Sequence, residues 1–206
     1  MIDVYAFATP NSVKVPIALE ELGLEYTLNG VNVRKGEQKA ADFVALNPNA
    51  KVPVLVDGPL VLTESAAILV YLAEQTGKLL PTTGEARARV FEQLFFHASG
   101  LGPAFGQAGF FKKQAAEPQP LAIARFEAEA ARTAGMLDLA LSQHEFVAGD
   151  AFTIADIAHF GWLWRRAFAE VDITGLPHLT RWVAAIEARS AVQRAIARVE
   201  ALIPAA

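Results

Sequence analysis

The sequence contains no cysteine at all. The protein therefore cannot form a disulfide, hold a metal through thiolates or offer a sulfur nucleophile of its own. Any thiol chemistry would have to use a thiol that a ligand brings. The four histidines lie far apart, and none has a histidine or an acidic residue three or four positions later. We therefore predict no metal site and assign the histidines to packing or to the surface.

Long apolar runs and a strong net charge are also absent. The net charge is -4 and the lysines and arginines are scattered, which argues against nucleic acid or a membrane as a partner. No run of about 18 uncharged apolar residues occurs, and the start of the chain, MIDVYAFATP, lacks the features of a signal peptide. Apolar residues make up 53% of the 206 positions, enough for a buried core. We expect a folded cytoplasmic protein.

The first part of the chain, about eighty residues long, alternates strand and helix patterns. DVYAF predicts a strand, VKVPIALEEL a helix and YTLNGVNV a second strand. KVPVLVDGPLVL places two apolar runs around Asp57 and Gly58, which predicts a hairpin, and ESAAILVYLAEQTG predicts a helix that ends at Gly77. The full order, β-α-β, then a helix, then β-β-α, is typical of an α/β domain with a mixed sheet.

Beyond GKLLPTTGE, a stretch rich in glycine, proline and threonine, strand patterns give way to helical periodicity. We therefore predict an α/β domain over 1–78, a linker over 79–85 and an all-helical domain over 86–206. Two segments should interrupt the helices: GLGPAFGQAGFF, and AAEPQPLA with its two prolines. The predicted helical segments are Ala86 to Phe96, Leu121 to Leu141, Ile154 to Phe168 and Leu179 to Val199.

Several motifs in this order resemble those of the cytosolic glutathione transferases, and the resemblance covers nearly the whole chain. They are TPNS, NPNAKVPVLVD, LTESAAILVYLAEQTGKLLP and FVAGDAFTIADIA. Thr9 and Asn11 around Pro10, together with SGLGPAFGQ and Arg132, look most like the bacterial nu class and its yeast prion-protein relatives. The resemblance implies a thioredoxin-like N-terminal domain, an all-helical C-terminal domain, glutathione as cosubstrate and a homodimer.

The TPNS stretch invites two interpretations. Asn11 and Ser12 are good helix caps, and Pro16 is tolerated only in about the first turn, so the helix should begin close to Ser12. A cap needs only one side-chain oxygen, however. The resemblance implies that the Thr9 hydroxyl and the Asn11 amide donate hydrogen bonds to the glutathione sulfur and favour its thiolate. Ser12 is the alternative sulfur ligand, and Tyr5, which lies within the first strand, is a third.

Two dipeptides match the glutathione site of the family. Val52-Pro53 on its own would be an ordinary trans proline at a strand end, but the resemblance implies a cis bond and backbone pairing of Val52 with the cysteinyl part of glutathione. Glu64 and Ser65 on their own would be a helix N-cap region. The resemblance implies that Ser65 binds the γ-glutamyl carboxylate and that Glu64 binds the γ-glutamyl ammonium.

Three further residues are candidates for binding glutathione on less specific grounds. Gln38 and Lys51 could bind the glycyl carboxylate of glutathione or could be solvated surface. Arg132 could pair with Glu129 three residues earlier in the helix, or could contact glutathione as the nu-class resemblance suggests. This contact could lie across a dimer interface.

Other motifs point to structure rather than chemistry. Thr153 and Asp156 in TIAD predict a capping box that stabilises a helix start. The aromatic residues of the helical region should be mostly core, although the family builds its second-substrate pocket from this region. They are Phe105, Phe110, Phe111, Trp162 and Trp164.

The first function that the resemblance implies is a glutathione-dependent disulfide reductase of nu type. A second is a transferase that conjugates glutathione to small electrophiles, a detoxification reaction. A third, non-enzymatic possibility is a transferase-like binding module. The expected partners are a small electrophile or disulfide and a second copy of the chain.

Overall fold

The structure is a computed structural model that describes residues 1–204. The chain forms two compact units, one made of Met1–Lys78 with Glu187–Ala206 and the other of Leu79–Ile186. The first unit is interrupted after Lys78, the residue at which the sequence predicts the end of the α/β domain. Residues 187–204 differ from the prediction, because they belong to the first unit and not to the helical one.

A four-stranded mixed sheet organises the first unit. Its strands are β1 (Ile2–Ala6), β2 (Tyr26–Gly30), β3 (Val54–Asp57) and β4 (Leu60–Thr63), in the order β2-β1-β3-β4. β1 and β2 are parallel, whereas β3 is antiparallel to both β1 and β4. The predicted hairpin is confirmed, with Gly58 at φ 57° supplying the positive φ of its two-residue loop.

The helices of this region follow the predicted order. They are α1 (Lys14–Leu22), a short 3-10 helix (Glu37–Lys39), α2 (Ala41–Leu46) and α3 (Ser65–Thr76), and Gly77 ends α3 at φ 66° as expected.

Of the two interpretations of the TPNS stretch, the capping one is wrong, although the helix does begin close to Ser12 as predicted. α1 begins at Lys14 and its N-cap is Val13, which makes no side-chain cap bond. Residues 10–13 form a turn instead, because the Thr9 hydroxyl accepts a hydrogen bond from the Ser12 backbone amide at 3.3 Å. The side chains of Asn11 and Ser12 therefore do not cap α1.

The second unit is helical. It contains α4 (Gly84–Phe96), a five-residue π-helical segment (His97–Leu101), α5 (Gly102–Lys113), α6 (Pro120–Leu141), α7 (Ile154–Trp164), α8 (Arg166–Ala169) and α9 (Pro177–Glu187). The prolines of AAEPQPLA separate α5 from α6 as predicted. The predicted helix from Ile154 to Phe168 is divided at Arg165 into α7 and α8.

The glycine-rich segment that should have interrupted the helices is itself helical, since it forms most of α5. Its glycines allow close packing. A Cβ on Gly109 would lie 2.2 Å from the Phe168 ring, and one on Gly102 would lie 3.3 Å from Trp162 Nε1. The cost in helix propensity is thus outweighed by the approach of large aromatic side chains from α7 and α8.

The predicted helix from Leu179 to Val199 is also two helices, α9 and α10 (Ser190–Glu200). The break falls at Arg189, which is extended at φ -69° and ψ 127° and bonds Glu21 of α1 at 2.6 and 2.8 Å. α10 lies against α1 and buries Val192 and Val199. Among the residues described, no helix is both long and apolar enough to cross a membrane.

Candidate active site

The register of the sheet brings the candidate glutathione-binding segments to one edge. Tyr5 of β1 pairs with Val54 of β3, and Val54 pairs with Thr63 of β4. The end of β1, the start of β3 and the end of β4 are therefore neighbours. The segments that continue from these three points carry the candidate residues: Thr9 and Asn11 after β1, Val52 and Pro53 before β3, and Glu64 and Ser65 after β4.

The turn before α1 holds the candidate sulfur ligands. Thr9 is half-buried and its hydroxyl lies 2.9 Å from the hydroxyl of Ser12. Ser12 is fully buried, whereas Asn11 is exposed. Tyr5 packs edge to face on Phe43 with ring centroids 6.4 Å apart. Of the four residues, Asn11 is therefore the most accessible to a ligand.

Sequence reasoning missed Lys14, the first residue of α1. Its Nζ donates to Asn11 Oδ1 at 2.7 Å and to Ser65 Oγ at 3.4 Å, so one side chain links the turn before α1 to the start of α3. The side chain is 1% exposed. The signal was present, since Lys14 is the one charged residue between Asp3 and Glu20 and follows Asn11 by three positions.

Burial of Lys14 alters its proton affinity. Removal of the ammonium from water lowers the pKa of Lys14 to about 7, and the nearby Glu64 carboxylate partly opposes this by attracting the charged form. The lysine that lies between Asn11 and Ser65 therefore holds its proton less tightly than a solvated lysine does.

The Val52-Pro53 peptide bond is cis, as the resemblance implies. The loop before it is ordered by Asn47, a buried residue that sequence reasoning also missed. Asn47 Nδ2 donates to the Lys51 carbonyl at 2.7 Å, and its Oδ1 accepts from the Asn49 amide at 3.0 Å. Within residues 1–204 the Val52 backbone makes no hydrogen bond, so its N–H and C=O are available to a ligand.

Glu64 and Ser65 begin α3, with Glu64 at the N-cap position and Ser65 as the first helical residue. The exposed Glu64 has φ 67° and ψ 112°, an unusual conformation for a residue with a side chain. Its side chain makes no capping hydrogen bond. Simple capping therefore does not explain this pair, and backbone strain of this kind often accompanies functional sites.

The remaining candidates lie in different surroundings. Gln38 is in the 3-10 helix, and its Oε1 is buried with no hydrogen-bond partner in the described chain. The Lys51 side chain is exposed. Arg132 belongs to the second unit and pairs with Glu129 at 2.7 and 2.8 Å, so the expected ion pair is confirmed.

The TIAD motif forms the predicted capping box. Asp156 is buried, and its Oδ2 accepts from the Thr153 amide at 2.9 Å. Its Oδ1 accepts from Trp182 Nε1 at 2.9 Å and from the Val147 amide at 3.0 Å. Burial raises the pKa of the Asp156 carboxyl, while these hydrogen bonds act in the opposite direction.

The aromatic residues of the second unit differ in exposure. Phe105 and Trp162 are buried and in edge contact at 6.3 Å between centroids, whereas Phe110 is 42% exposed. Phe111 stacks on Phe126. The expectation that most of these residues are core holds for Phe105 and Trp162, and Phe110 is the one of them with the most open face.

Two further features of the second unit include none of the predicted site residues. A groove of about 880 Å³ runs between α4 and α6, and its walls include Arg89, Phe96 and Met136 but none of the candidates above. His97 and His159 are buried with ring centroids 5.0 Å apart. In the part of the chain described, no group of three histidine or acidic side chains could hold a metal ion.

Comparison with known proteins identifies the family. Residues 2–74 match the model of the glutathione S-transferase N-terminal domain, and residues 103–190 match that of the C-terminal domain. The chain is 36% identical over 209 residues to the disulfide-bond oxidoreductase YfcG of Escherichia coli strain K12, with 97% of this chain and 96% of that protein covered.

Solved structures agree with this result. A glutathione transferase family member from Pseudomonas fluorescens Pf-5, crystallised with two glutathione molecules, is 40% identical with a TM-score of 0.90 over 95% of this chain and 92% of that one. A glutathione transferase from Pseudomonas putida with one bound glutathione disulfide is 35% identical, with a TM-score of 0.89 over 95% of this chain and 90% of that one. The chain therefore belongs to the glutathione S-transferase family.

Proposed function

We propose that the protein is a glutathione-dependent disulfide reductase of nu type. The observation that carries the proposal is the exposed amide of Asn11 before α1. Its oxygen accepts a hydrogen bond from Lys14, so its Nδ2 can donate to a ligand. The similarity to a disulfide-bond oxidoreductase and to a structure holding two glutathiones supports the same reaction.

The reaction would take both its electrons from glutathione. A glutathione thiolate attacks one sulfur of the substrate disulfide, forming a mixed disulfide and releasing the other sulfur as a thiolate. A second glutathione thiolate attacks the glutathione sulfur of this mixed disulfide, which yields glutathione disulfide and the second substrate thiolate. The protein has no cysteine, so it cannot enter either exchange covalently.

The role proposed for the residues before α1 is to stabilise the attacking thiolate. Asn11 donates through Nδ2, and Thr9 donates through its hydroxyl. Two hydroxyls 2.9 Å apart can exchange donor and acceptor roles, so Ser12 can donate to Thr9 while Thr9 donates to the sulfur. Because Ser12 is buried, we assign it to supporting Thr9 and not to direct contact with the sulfur.

The other ends of glutathione are assigned to the neighbouring segments. The Val52 backbone would pair with the cysteinyl residue beside Pro53. Ser65 and the free amides of α3 would bind the γ-glutamyl carboxylate, and Glu64 the γ-glutamyl ammonium. Gln38 and Lys51 are assigned to the glycyl carboxylate, and Arg132 to a glutathione carboxylate in exchange for Glu129.

A second candidate function is conjugation of glutathione to a small electrophile. Membership of the glutathione S-transferase family favours it, because both family models that match the chain are those of transferases. The same thiolate would attack carbon instead of sulfur, and one glutathione would suffice. We also propose, from the family resemblance, that the protein forms a homodimer. The proposed location is the cytoplasm, where thiols are kept reduced. A detoxification role is part of this second candidate.

The test compares Asn11→Ala, Thr9→Val and Ser12→Ala in disulfide reduction and in conjugation to a standard electrophile. We expect Asn11→Ala to lower disulfide reduction by roughly tenfold to a hundredfold, because a hydrogen bond to an ionised group is worth about 1.5–3 kcal/mol. Titration calorimetry should count two glutathiones per chain. A loss confined to conjugation would favour the second candidate, and a loss with Ser12→Ala alone would make Ser12 the sulfur ligand.

Treatment with a thiol alkylator, followed by its removal, is the control. Activity should be unchanged, because the chain has no thiol to modify. If glutathione bound but neither reaction occurred, the chain would instead be a binding module.

A further inference from the structure

Lys14 touches both ends of the proposed glutathione site. Its Nζ lies 2.7 Å from Asn11 Oδ1, next to the proposed sulfur position, and 3.4 Å from Ser65 Oγ, at the proposed γ-glutamyl position. Lys14 is 1% exposed, and burial of an ammonium lowers the free energy of unfolding unless polar groups interact with it.

An ammonium fixes the orientation of the Asn11 amide. The two branches of an asparagine amide have the same shape, but an ammonium can only donate. The atom 2.7 Å from Lys14 Nζ must then be the amide oxygen, which leaves Nδ2 to donate elsewhere. A neutral lysine amine can also accept, so it would allow the amide to turn and present its oxygen to the ligand.

The charge state of Lys14 depends on the γ-glutamyl end of the site. Burial lowers the pKa of Lys14 to about 7, so neither charge state dominates near neutrality. A carboxylate bound at Ser65 would lie within about 6 Å of Nζ and would favour the ammonium. The γ-glutamyl ammonium would meanwhile pair with Glu64 and weaken the attraction between Glu64 and Lys14. The ligand carboxylate would then supply that attraction instead.

Several charged residues near α1 pair with one another at its C-terminal end. From α3, Lys14 faces the Glu64 carboxylate and the Ser65 hydroxyl. The arginines of α10 and its N-cap pair with acidic residues at the far end of α1: Arg189 with Glu21, and Arg194 and Arg198 with Glu20. A carboxylate bound at Ser65 would bring a new negative charge close to the Lys14 ammonium.

We propose that Lys14 is a positioning residue that links recognition of the γ-glutamyl carboxylate to activation of the thiol. With the carboxylate bound, Lys14 is an ammonium and holds the Asn11 amide with its N–H groups toward the sulfur. This rests on the proposed function, in which Asn11 meets the sulfur and Ser65 meets the carboxylate. The consequence is selectivity, because a thiol without the γ-glutamyl carboxylate would bind without being fully ionised.

The test measures the thiol pKa of bound ligand from thiolate absorbance near 240 nm at saturating ligand, for glutathione and for 4-aminobutyryl-cysteinylglycine, which lacks the α-carboxylate. In the wild-type protein the analogue should have the higher bound thiol pKa, by roughly 0.5–1 pH unit. In Lys14→Met this difference should vanish, and both ligands should show the higher value. A purely structural lysine would change affinity or folding but leave the difference intact.

The outcomes separate this inference from the proposed function. If Asn11→Ala leaves the bound thiol pKa of glutathione unchanged, the sulfur site itself is wrong. If Asn11→Ala raises that pKa but Lys14→Met preserves the difference between ligands, only the role of Lys14 is overturned. Should Lys14→Met not fold, Lys14→Gln replaces it, and the absence of any difference between the two ligands in wild-type protein would overturn the inference without a variant.

Discussion

At the scale of single residues, the buried ammonium of Lys14 serves the proposed site but lowers the stability of the fold. In the unfolded chain its ammonium is hydrated, whereas in the folded protein burial brings its pKa to about 7. Below that pH both states carry the proton and the cost of burying the charge is fully felt. Between about pH 7 and pH 10 the unfolded chain binds a proton that the folded protein has released, so stability should rise with pH.

Lys14→Met should therefore stabilise the ligand-free protein most at about pH 6, and its advantage should shrink as the pH rises to about 9.5. The change should approach 1.4 kcal/mol per pH unit, the limit for one proton. Urea unfolding at several pH values measures it, with the exposed Lys39→Met as a control for net charge. A constant difference between Lys14→Met and wild type would contradict the lowered pKa.

Single residues also show what the sequence could reveal about the site. The family motifs led to Thr9, Asn11, Val52, Glu64 and Ser65, and the sheet register brings these segments to one edge. Lys14 was missed for a physical reason, because its bond to Ser65 spans 51 positions of the sequence and depends on tertiary packing that local patterns do not encode. The Asn47 side chain bonds within its own loop, to Lys51 and Asn49, so its signal was present locally in the NPNAK stretch.

At the scale of secondary-structure elements, α7 depends on its capping box. Asp156→Ala would remove the acceptor for the Thr153 amide, the Val147 amide and Trp182 Nε1, all of which are buried. A lost cap costs about 0.5–2 kcal/mol and each unpaired buried donor about 1–3 kcal/mol.

We therefore expect Asp156→Ala to lower the free energy of unfolding by more than about 3 kcal/mol, with activity per folded molecule unchanged. Thermal unfolding with an assay at low temperature measures both quantities. Asp156→Asn retains one acceptor oxygen, so its free energy of unfolding should lie between those of the wild type and Asp156→Ala. A loss of activity without a loss of stability would mean that Asp156 serves the active site.

The elements also divide into those that the sequence predicts and those that it does not. The strands, the hairpin and α3 follow from alternation, turn residues and a glycine stop. α5 does not, because its glycines read as helix breakers while their packing against Phe168 and Trp162 is a tertiary property. The break at Arg189 was hidden because helical periodicity continues on both sides of it.

Gly109→Ala should destabilise the protein although alanine favours helix. Its Cβ would lie 2.2 Å from the Phe168 ring, and overpacking of this kind typically costs about 1–3 kcal/mol. Gly135→Ala in α6 is the matched control, because nothing lies within 4 Å of its Cβ and the change should stabilise by up to about 1 kcal/mol. Denaturant unfolding distinguishes them, and equal effects would refute the packing explanation for α5.

At the scale of the whole molecule, sequence order and spatial order differ. The sequence predicts that everything after residue 85 forms one helical domain, yet α10 lies in the unit that begins the chain. Its buried face contacts α1, and arginines along it bond Glu20 and Glu21. A pattern of apolar residues predicts that α10 has a buried face but not which partner covers it.

The distribution of aromatic residues allows this arrangement to be tested. The three tryptophans, Trp162, Trp164 and Trp182, lie in the second unit, and the three tyrosines, Tyr5, Tyr26 and Tyr71, lie in the first. Tryptophan fluorescence therefore reports unfolding of the second unit. The tyrosine bands of second-derivative ultraviolet absorbance, which are resolved from the longer-wavelength tryptophan band, report unfolding of the first.

Val192→Ala removes two buried methyl groups from α10 and should cost about 2 kcal/mol. Because α10 packs on α1, the tyrosine transition in urea should move to lower denaturant at least as far as the tryptophan transition does. Gln193→Ala, at the adjacent exposed position, should move neither by more than about 0.5 kcal/mol. A shift of the tryptophan transition alone would place α10 with the helical unit that precedes it, as the sequence pattern predicts.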